Sequence, residues 1–278
     1  MGRLDILPAH VDPSIFDAND VFLGTGGILY TICYALMARQ SIRDRTYAMP
    51  LFSLAFSRCL HTGCMRHTDP VHQRLDFAWE IVFAIYVADE LREKALFALW
   101  GLLDMGIVYA AVTYGANEWR HAPAVGRNIG KIFAGMLVWW CIALYAVSSW
   151  WLDVDHPVNP KVGKAYRGNL GIDKDELGFW TALVAQVVLS VMSLAQLVVR
   201  GSSRGSSYSI WACRFIGSVS GLTVNYGYVW WVWPEAHGYY VNPVAVVMMV
   251  TWILADLGYL VVFRNVQRTG GAVGGKTK

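Results

Sequence analysis

The stretch "LAFSRCLHTGCMRHTDPVHQRLDFAWEIVFAIY" (residues 54–86) starts and ends as a membrane helix does, with a run rich in Cys, His and Arg between its apolar ends. Whether it is one helix or two decides how often the chain can cross a bilayer. A helical crossing takes about 20 mostly apolar residues, because each residue rises about 1.5 Å through about 30 Å of hydrocarbon. The fragments "YAMPLFSLAF" (47–56) and "FAWEIVFAIYVA" (77–88) are each too short for that, whereas joined end to end they make one normal span.

The same ruler finds six further spans, at 20–38, 94–114, 130–152, 178–199, 209–233 and 242–263. With the joined fragments this predicts an all-α polytopic membrane protein, a seven-transmembrane-helix bundle over 20–265. A polar segment, 1–19, precedes it and a Gly-rich flexible tail, 266–278, follows. The composition agrees. Of 278 residues 55% are hydrophobic and only 15% charged, too apolar for an ordinary soluble domain. The net charge of +3 is spread between apolar segments rather than gathered into a basic stripe, so nucleic acid is not an expected partner; the lipid bilayer is. The five cysteines are odd in number, and Cys33, Cys141 and Cys213 lie inside apolar segments, which argues against a disulfide framework. The first residues have no apolar core of the kind a cleaved signal needs, so insertion is expected to rely on the first span.

Short loops set the orientation. Arg39, Arg43 and Arg45, then Arg120, Arg127 and Lys131, the 200–208 loop, and Arg264 with Arg268 form the basic connections, whereas 234–241 has neither Lys nor Arg. By the positive-inside rule the N-terminus is lumenal and the C-terminus cytoplasmic, in the endoplasmic reticulum membrane.

Within the interruption, Cys59, Cys64, His67 and His72 read as C-x4-C-x2-H-x4-H, but the spacing matches no common zinc module, and no metal or cofactor is expected. A solvated loop would split a helix into pieces that cannot separately satisfy their backbone groups across lipid. Translated intron sequence explains the 57–75 insertion better. Codons for Ser57, for Thr68 with Asp69, and for Leu75 with Asp76 can supply a donor, a branch site and an acceptor, and excision would leave one Asn between Phe56 and Phe77.

Ionisable side chains inside spans are functional candidates by default. Three acids stand out: Glu80, Asp104 and Asp256. Each has rings at helical spacing: Phe77 and Phe83 around Glu80, Trp100 before Asp104, Trp252 before Asp256 and Tyr259 after it. Taking a carboxyl out of water disfavours its charged form, which leaves it a proton to donate. Ring faces stabilise positive charge. Together these suit carbocation chemistry started by protonation. The competing reading makes the rings interfacial belts and the acids hydrogen bonds between helices. No D-D-x-x-D motif is present, and "DVDH" (153–156) and "DKDE" (173–176) lie in a loop, so diphosphate ionisation on magnesium is not expected.

Taken together, "TYAMPLFSLAF" (46–56), "FAWEIVFAIYVAD" (77–89), "YGANEWRHAPAVGRNIG" (114–130) and "ADLGY" (255–259) resemble the integral-membrane terpene cyclases of fungal meroterpenoid and indole-diterpene pathways, the PaxB family. The resemblance implies a seven-helix enzyme that protonates a terminal epoxide on a prenyl chain and drives cationic polycyclisation. It makes Glu80 and Asp256 the catalytic pair, with Trp79, Trp252, Tyr259 and Asp104 as candidates for substrate contact. Its substrate would be an epoxidised prenylated small molecule, supplied by an upstream prenyltransferase and epoxidase. The family runs continuously from the "MPLF" segment through an Asn into "FAWE", so the 57–75 interruption is the main departure. The cluster Asn117, Glu118, Trp119, Arg120 and His121 also fits the pattern, as substrate contacts or as a loop that fixes helix ends.

Two rivals come from other classes. A seven-helix receptor is disfavoured because the last span has no Lys and the third span ends without an Asp-Arg-Tyr signature. A proton-coupled transporter would need a continuous polar path, for which Gln186, Gln196 and Asn225 are the candidates.

Overall fold

A computed structural model describes residues 7–56, Val82, 91–152 and 174–274, and among them every regular element is helical. The elements are α1 (Ser14–Asp44), α2 (Leu51–Phe56), α3 (Leu91–Tyr114), α4 (Pro123–Arg127), α5 (Ile129–Leu152), α6 (Lys174–Arg200), α7 (Tyr208–Ser218), α8 (Asn225–Val232), α9 (Pro234–His237) and α10 (Pro243–Gly274). Among the described residues, five helices are long and apolar enough to cross a membrane: Ser14–Asp44, Leu99–Asn117, Ile129–Leu152, Asp175–Arg200 and Pro243–Thr269. Each coincides with an expected span.

The expected span at 209–233 is present as three pieces, because a π-helical segment, Val219–Val224, joins α7 to α8. Of the predicted joined helix, 47–50 is irregular rather than helical, Leu51–Phe56 is helical, and beyond it only Val82 is described; Trp79, Glu80 and the Cys59, Cys64, His67 and His72 set lie outside the described residues. Among the described residues the candidate spans number five rather than seven. At the other end of the chain, α10 continues as helix to Gly274, past the expected boundary at 265.

Burial shows why these helices belong in lipid. On α10, Val247, Val250, Leu254, Leu257 and Val261 form one outward stripe at spacings of three and four, all exposed, while Ala245, Met249, Trp252, Asp256, Tyr259 and Phe263 face inward. α5 is bare in the same way, with Val138, Trp139, Ile142 and Tyr145 exposed. Apolar stripes of this extent on several outer faces are what a bilayer, rather than water, would cover. The chain is an integral membrane protein.

α1 is the central post, packed against α3 and α7. Asp12 prepares its start: its carboxylate accepts the Ser14 amide proton at 2.7 Å, and that bond holds its carboxyl below the usual carboxylate range. Arg45, in the left-handed region at φ 51, ends it. Midway, Gly26 lies against the α7–π junction, where an added Cβ would sit 3.2 Å from the Gly217 carbonyl oxygen and 3.3 Å from the Gly221 Cα. Both are backbone atoms, so the close approach needs glycine, the small-residue packing by which helices associate in lipid. Ser220 Oγ donates to the Phe22 carbonyl at 3.0 Å, so the π turn also gives a bond to α1.

One end of the bundle is clamped by the loops that carry its basic residues. Glu118 accepts from Thr46 Oγ1 at 2.5 Å and pairs with Arg200 Nε at 3.4 Å. Arg200 donates to the Tyr47 carbonyl at 2.8 Å and lies 4.2 Å over the Tyr47 ring, whose hydroxyl accepts the Trp119 indole proton at 3.0 Å. Asn117 Nδ2 donates to the Arg45 carbonyl at 3.1 Å. Three loops thus meet on one nearly buried ion pair, and of the two roles open to Asn117, Glu118 and Trp119, fixing helix ends is the one these contacts serve.

Glu118→Gln leaves Arg200 short of its counter-charge in a nearly dry site. It is expected to cost about 2–4 kcal/mol, on the scale of breaking a buried pair, and to lower the unfolding midpoint of the detergent-solubilised protein. Gly26→Leu, read by the same midpoint or by failure to accumulate in membranes, is expected to be worse, because backbone cannot give way as a side chain can.

Candidate active site

An acid and a base meet in the middle of the bundle. Asp256, on the inner stripe of α10, is fully buried, and its Oδ1 accepts a hydrogen bond from Arg214 Nη2 of α7 in a salt bridge. Neither charge could be carried alone into this apolar interior, because desolvation costs several kcal/mol per ion. The guanidinium is further held by Ser193 of α6, which accepts from Nη1 at 3.1 Å, and by the Tyr259 ring 5.2 Å from its centre. Tyr259 is fixed in turn by a 2.6 Å hydrogen bond between its hydroxyl and Ser206 Oγ, and by stacking on Phe263.

The other carboxylate oxygen is only lightly used. Gln186 Nε2 approaches Asp256 Oδ2 at 3.5 Å, long for a hydrogen bond, while donating to Ser190 Oγ at 3.0 Å. Gln186 Oε1 accepts from the Tyr30 hydroxyl of α1 at 2.9 Å, and the same hydroxyl is hydrogen-bonded to Ser218 Oγ. Ser218 donates to the Arg214 carbonyl at 2.9 Å. The network therefore joins α1, α6, α7 and α10, and leaves Oδ2 with acceptor capacity to spare.

Rings surround this centre. Trp211 and Phe215, one turn apart on α7, are stacked at 5.3 Å, and Trp211 donates its indole proton to the Asp256 carbonyl at 3.0 Å. Phe215 meets Trp252 edge to face at 6.0 Å. On α1, Tyr34 lies 6.4 Å from Tyr30 and 6.5 Å from Trp100 of α3. Trp100 donates to Thr31 Oγ1 at 2.8 Å, and Asp104, one turn further along α3, is fully buried.

Of the candidates read from sequence, Asp256, Trp252 and Tyr259 come together around Arg214, with Tyr259 engaged by the guanidinium. Asp104 belongs to the α1–α3 side, reached from Asp256 through Gln186, Tyr30, Tyr34 and Trp100. Sequence reasoning missed Arg214, Ser193 and Tyr30. The signal for Arg214 was present in "YSIWACRFIGS" (208–218), an arginine inside an apolar span, to which the rule that singled out the acids applies equally. Two of the polar residues considered for a transport path are engaged within the bundle. Gln186 is held by Tyr30 and Ser190, and Asn225 accepts from Asn19 at 2.8 Å as a buried clip between helices. Among the described residues no group of three His, Cys, Asp or Glu could hold a metal ion.

A buried charge centre framed by rings thus lies among the apolar helices of a membrane protein. Residues 13–269 match the family model of the Pyr4-like transmembrane terpene cyclases, and the chain belongs to that family. It is 35% identical to terpene cyclase ascF of Acremonium egyptiacum, over 94% of this chain and 86% of that one. It is 30% identical to terpene cyclase janB of Penicillium janthinellum, over 90% and 86%, and 29% identical to terpene cyclase paxB of Penicillium paxilli, over 92% and 88%. No solved structure matches. The relatives make this chain a terpene cyclase enzyme.

Arg214→Met is expected to destabilise the fold by about 3–5 kcal/mol, because it strands the Asp256 charge. Arg214→Met combined with Asp256→Leu removes both charges at similar volume, and is expected to recover most of that loss in the unfolding midpoint while remaining inactive.

Proposed function

We propose that this terpene cyclase protonates the terminal epoxide of a prenyl chain carried by a meroterpenoid or indole-diterpene intermediate, and guides the resulting cationic polycyclisation. The observation that carries this reading is the Arg214–Asp256 pair set among Trp211, Phe215, Trp252 and Tyr259. The carboxylate of Asp256 is engaged by a guanidinium, which leaves Glu80 as the acid with a proton to give. Asp256 then acts through Oδ2 as the acceptor that orients the donor. Proton transfer to the epoxide oxygen accompanies cleavage of its bond to the more substituted carbon. The oxygen becomes a hydroxyl, and the tertiary cation is captured by the next double bond. Ring faces stabilise each successive cation, and loss of a proton ends the series. The substrate is the product of a prenyltransferase and an epoxidase acting upstream.

The same reading completes the topology. The 208–232 segment is taken as a sixth crossing despite its π turn, and the 47–56 and 77–88 fragments as halves of a seventh, with 57–75 as translated intron sequence. The basic clamp loops then face the cytoplasm of an endoplasmic reticulum membrane, and the N-terminus faces the lumen.

The test is product formation in yeast microsomes given epoxyfarnesyl and epoxygeranylgeranyl substrates. It compares the unaltered chain with one in which Ser57–Asp76 is replaced by a single Asn. Cyclised product is expected from the shortened chain, abolished by Glu80→Gln and lowered about 10²-fold or more by Asp256→Asn, the scale of general acid–base assistance. Unchanged epoxide in every sample, with the proteins stably expressed, overturns the reading.

A further inference from the structure

Four indole N–H groups of the described core have acceptors close at hand. Trp100 donates to Thr31 Oγ1 at 2.8 Å, Trp119 to the Tyr47 hydroxyl at 3.0 Å, Trp180 to Glu176 Oε1 at 3.1 Å, and Trp211 to the Asp256 carbonyl at 3.0 Å. Trp252 differs. Its side chain is fully buried, yet its Nε1–H has no acceptor among the described residues. A buried donor without an acceptor bears its whole desolvation cost, so native structures keep such groups mainly where a water or a ligand completes them.

The position of this donor is informative. Trp252 lies one turn before Asp256 on the inner stripe of α10, and touches Phe215, the residue that follows Arg214. Arg214 Nε, likewise buried, also has no acceptor among the described residues.

We propose that the Trp252 indole N–H is the hydrogen-bond donor that holds the oxygen of the substrate's reacting end beside Asp256. The proposal rests on the epoxide reading given above and deepens it. Trp252 acts here through its N–H edge, a role separate from stabilising cations with its ring face. Specificity follows, because a site built to donate to an oxygen disfavours the analogue without one, whose binding leaves the donor unpaired. The terminal alkene, from which the epoxide is made, is that analogue.

The experiment is equilibrium binding to the detergent-solubilised full chain, in the form that gives product, of two ligands: the epoxyfarnesyl substrate and the same molecule with its terminal alkene intact. The donor is removed in Trp252→Phe, and Glu80→Gln is present throughout to prevent turnover. Without Trp252→Phe the protein is expected to bind the epoxide roughly tenfold more tightly than the alkene, the contribution of one such hydrogen bond. With it, the two are expected to bind alike through loss of epoxide affinity. If Trp252→Phe does not accumulate, benzothienylalanine at position 252, which puts sulfur in place of the N–H in a ring of the same size, gives the same comparison. A preference that survives removal of the N–H overturns the proposal. So does equal binding of the two ligands by the protein with Trp252 intact, while product formation would still uphold the cyclase reading. Failure to bind either ligand, with no product in microsomes, removes both.

Discussion

The buried salt bridge between Arg214 and Asp256 is the constraint on which the rest of the bundle depends. Two full charges inside a membrane protein are tolerable only if they face each other, and holding them so dictates how α7 and α10 are placed. Ser193 brings α6 to the guanidinium, and Gln186 links the carboxylate side through Tyr30 to α1. Once these groups are satisfied, sliding or turning any of the four helices would expose an unpaired polar group to hydrocarbon. That penalty gives the interior a single arrangement, which hydrophobic packing against lipid tails cannot do alone.

The two ends of the bundle are built differently. At the basic end, Glu118 and Arg200 gather three loops into one ionic and aromatic clamp. At the other end the contacts are mainly between rings. Phe179 lies 4.9 Å from Tyr226 and 5.0 Å from Tyr239, whose hydroxyl is 2.8 Å from His237 Nδ1. Asn19 and Asn225 close that side with a buried hydrogen bond.

Between these ends the aromatic supply divides by task. Tyr259 holds the guanidinium, Trp211 fixes the backbone at Asp256, and Tyr30 orients Gln186. Such rings are occupied with positioning, and a ring that positions a charge is not free to wrap a substrate. Trp252 and Phe215 meet each other edge to face instead.

The sequence by itself determined the class of fold and most of the crossings, because apolar runs of bilayer length must become helices in lipid whatever their neighbours do. It also placed Asp256 and Asp104 inside, since acids in such runs are too costly to be incidental, and the fully buried positions of both agree. The joined helix carrying Glu80 was legible in the lengths of its two fragments and lies mostly outside the described residues. What pairs with what was not legible. Asp256 meets Arg214 across 42 positions and Gln186 across 70, and no periodicity records contacts between helices. The π turn after Ser218 was equally hidden, lying where α1 approaches closely at Gly26. Local sequence fixes what a segment must become, and tertiary packing decides its partners, because the free energy of a buried charge is settled by whatever stands opposite it.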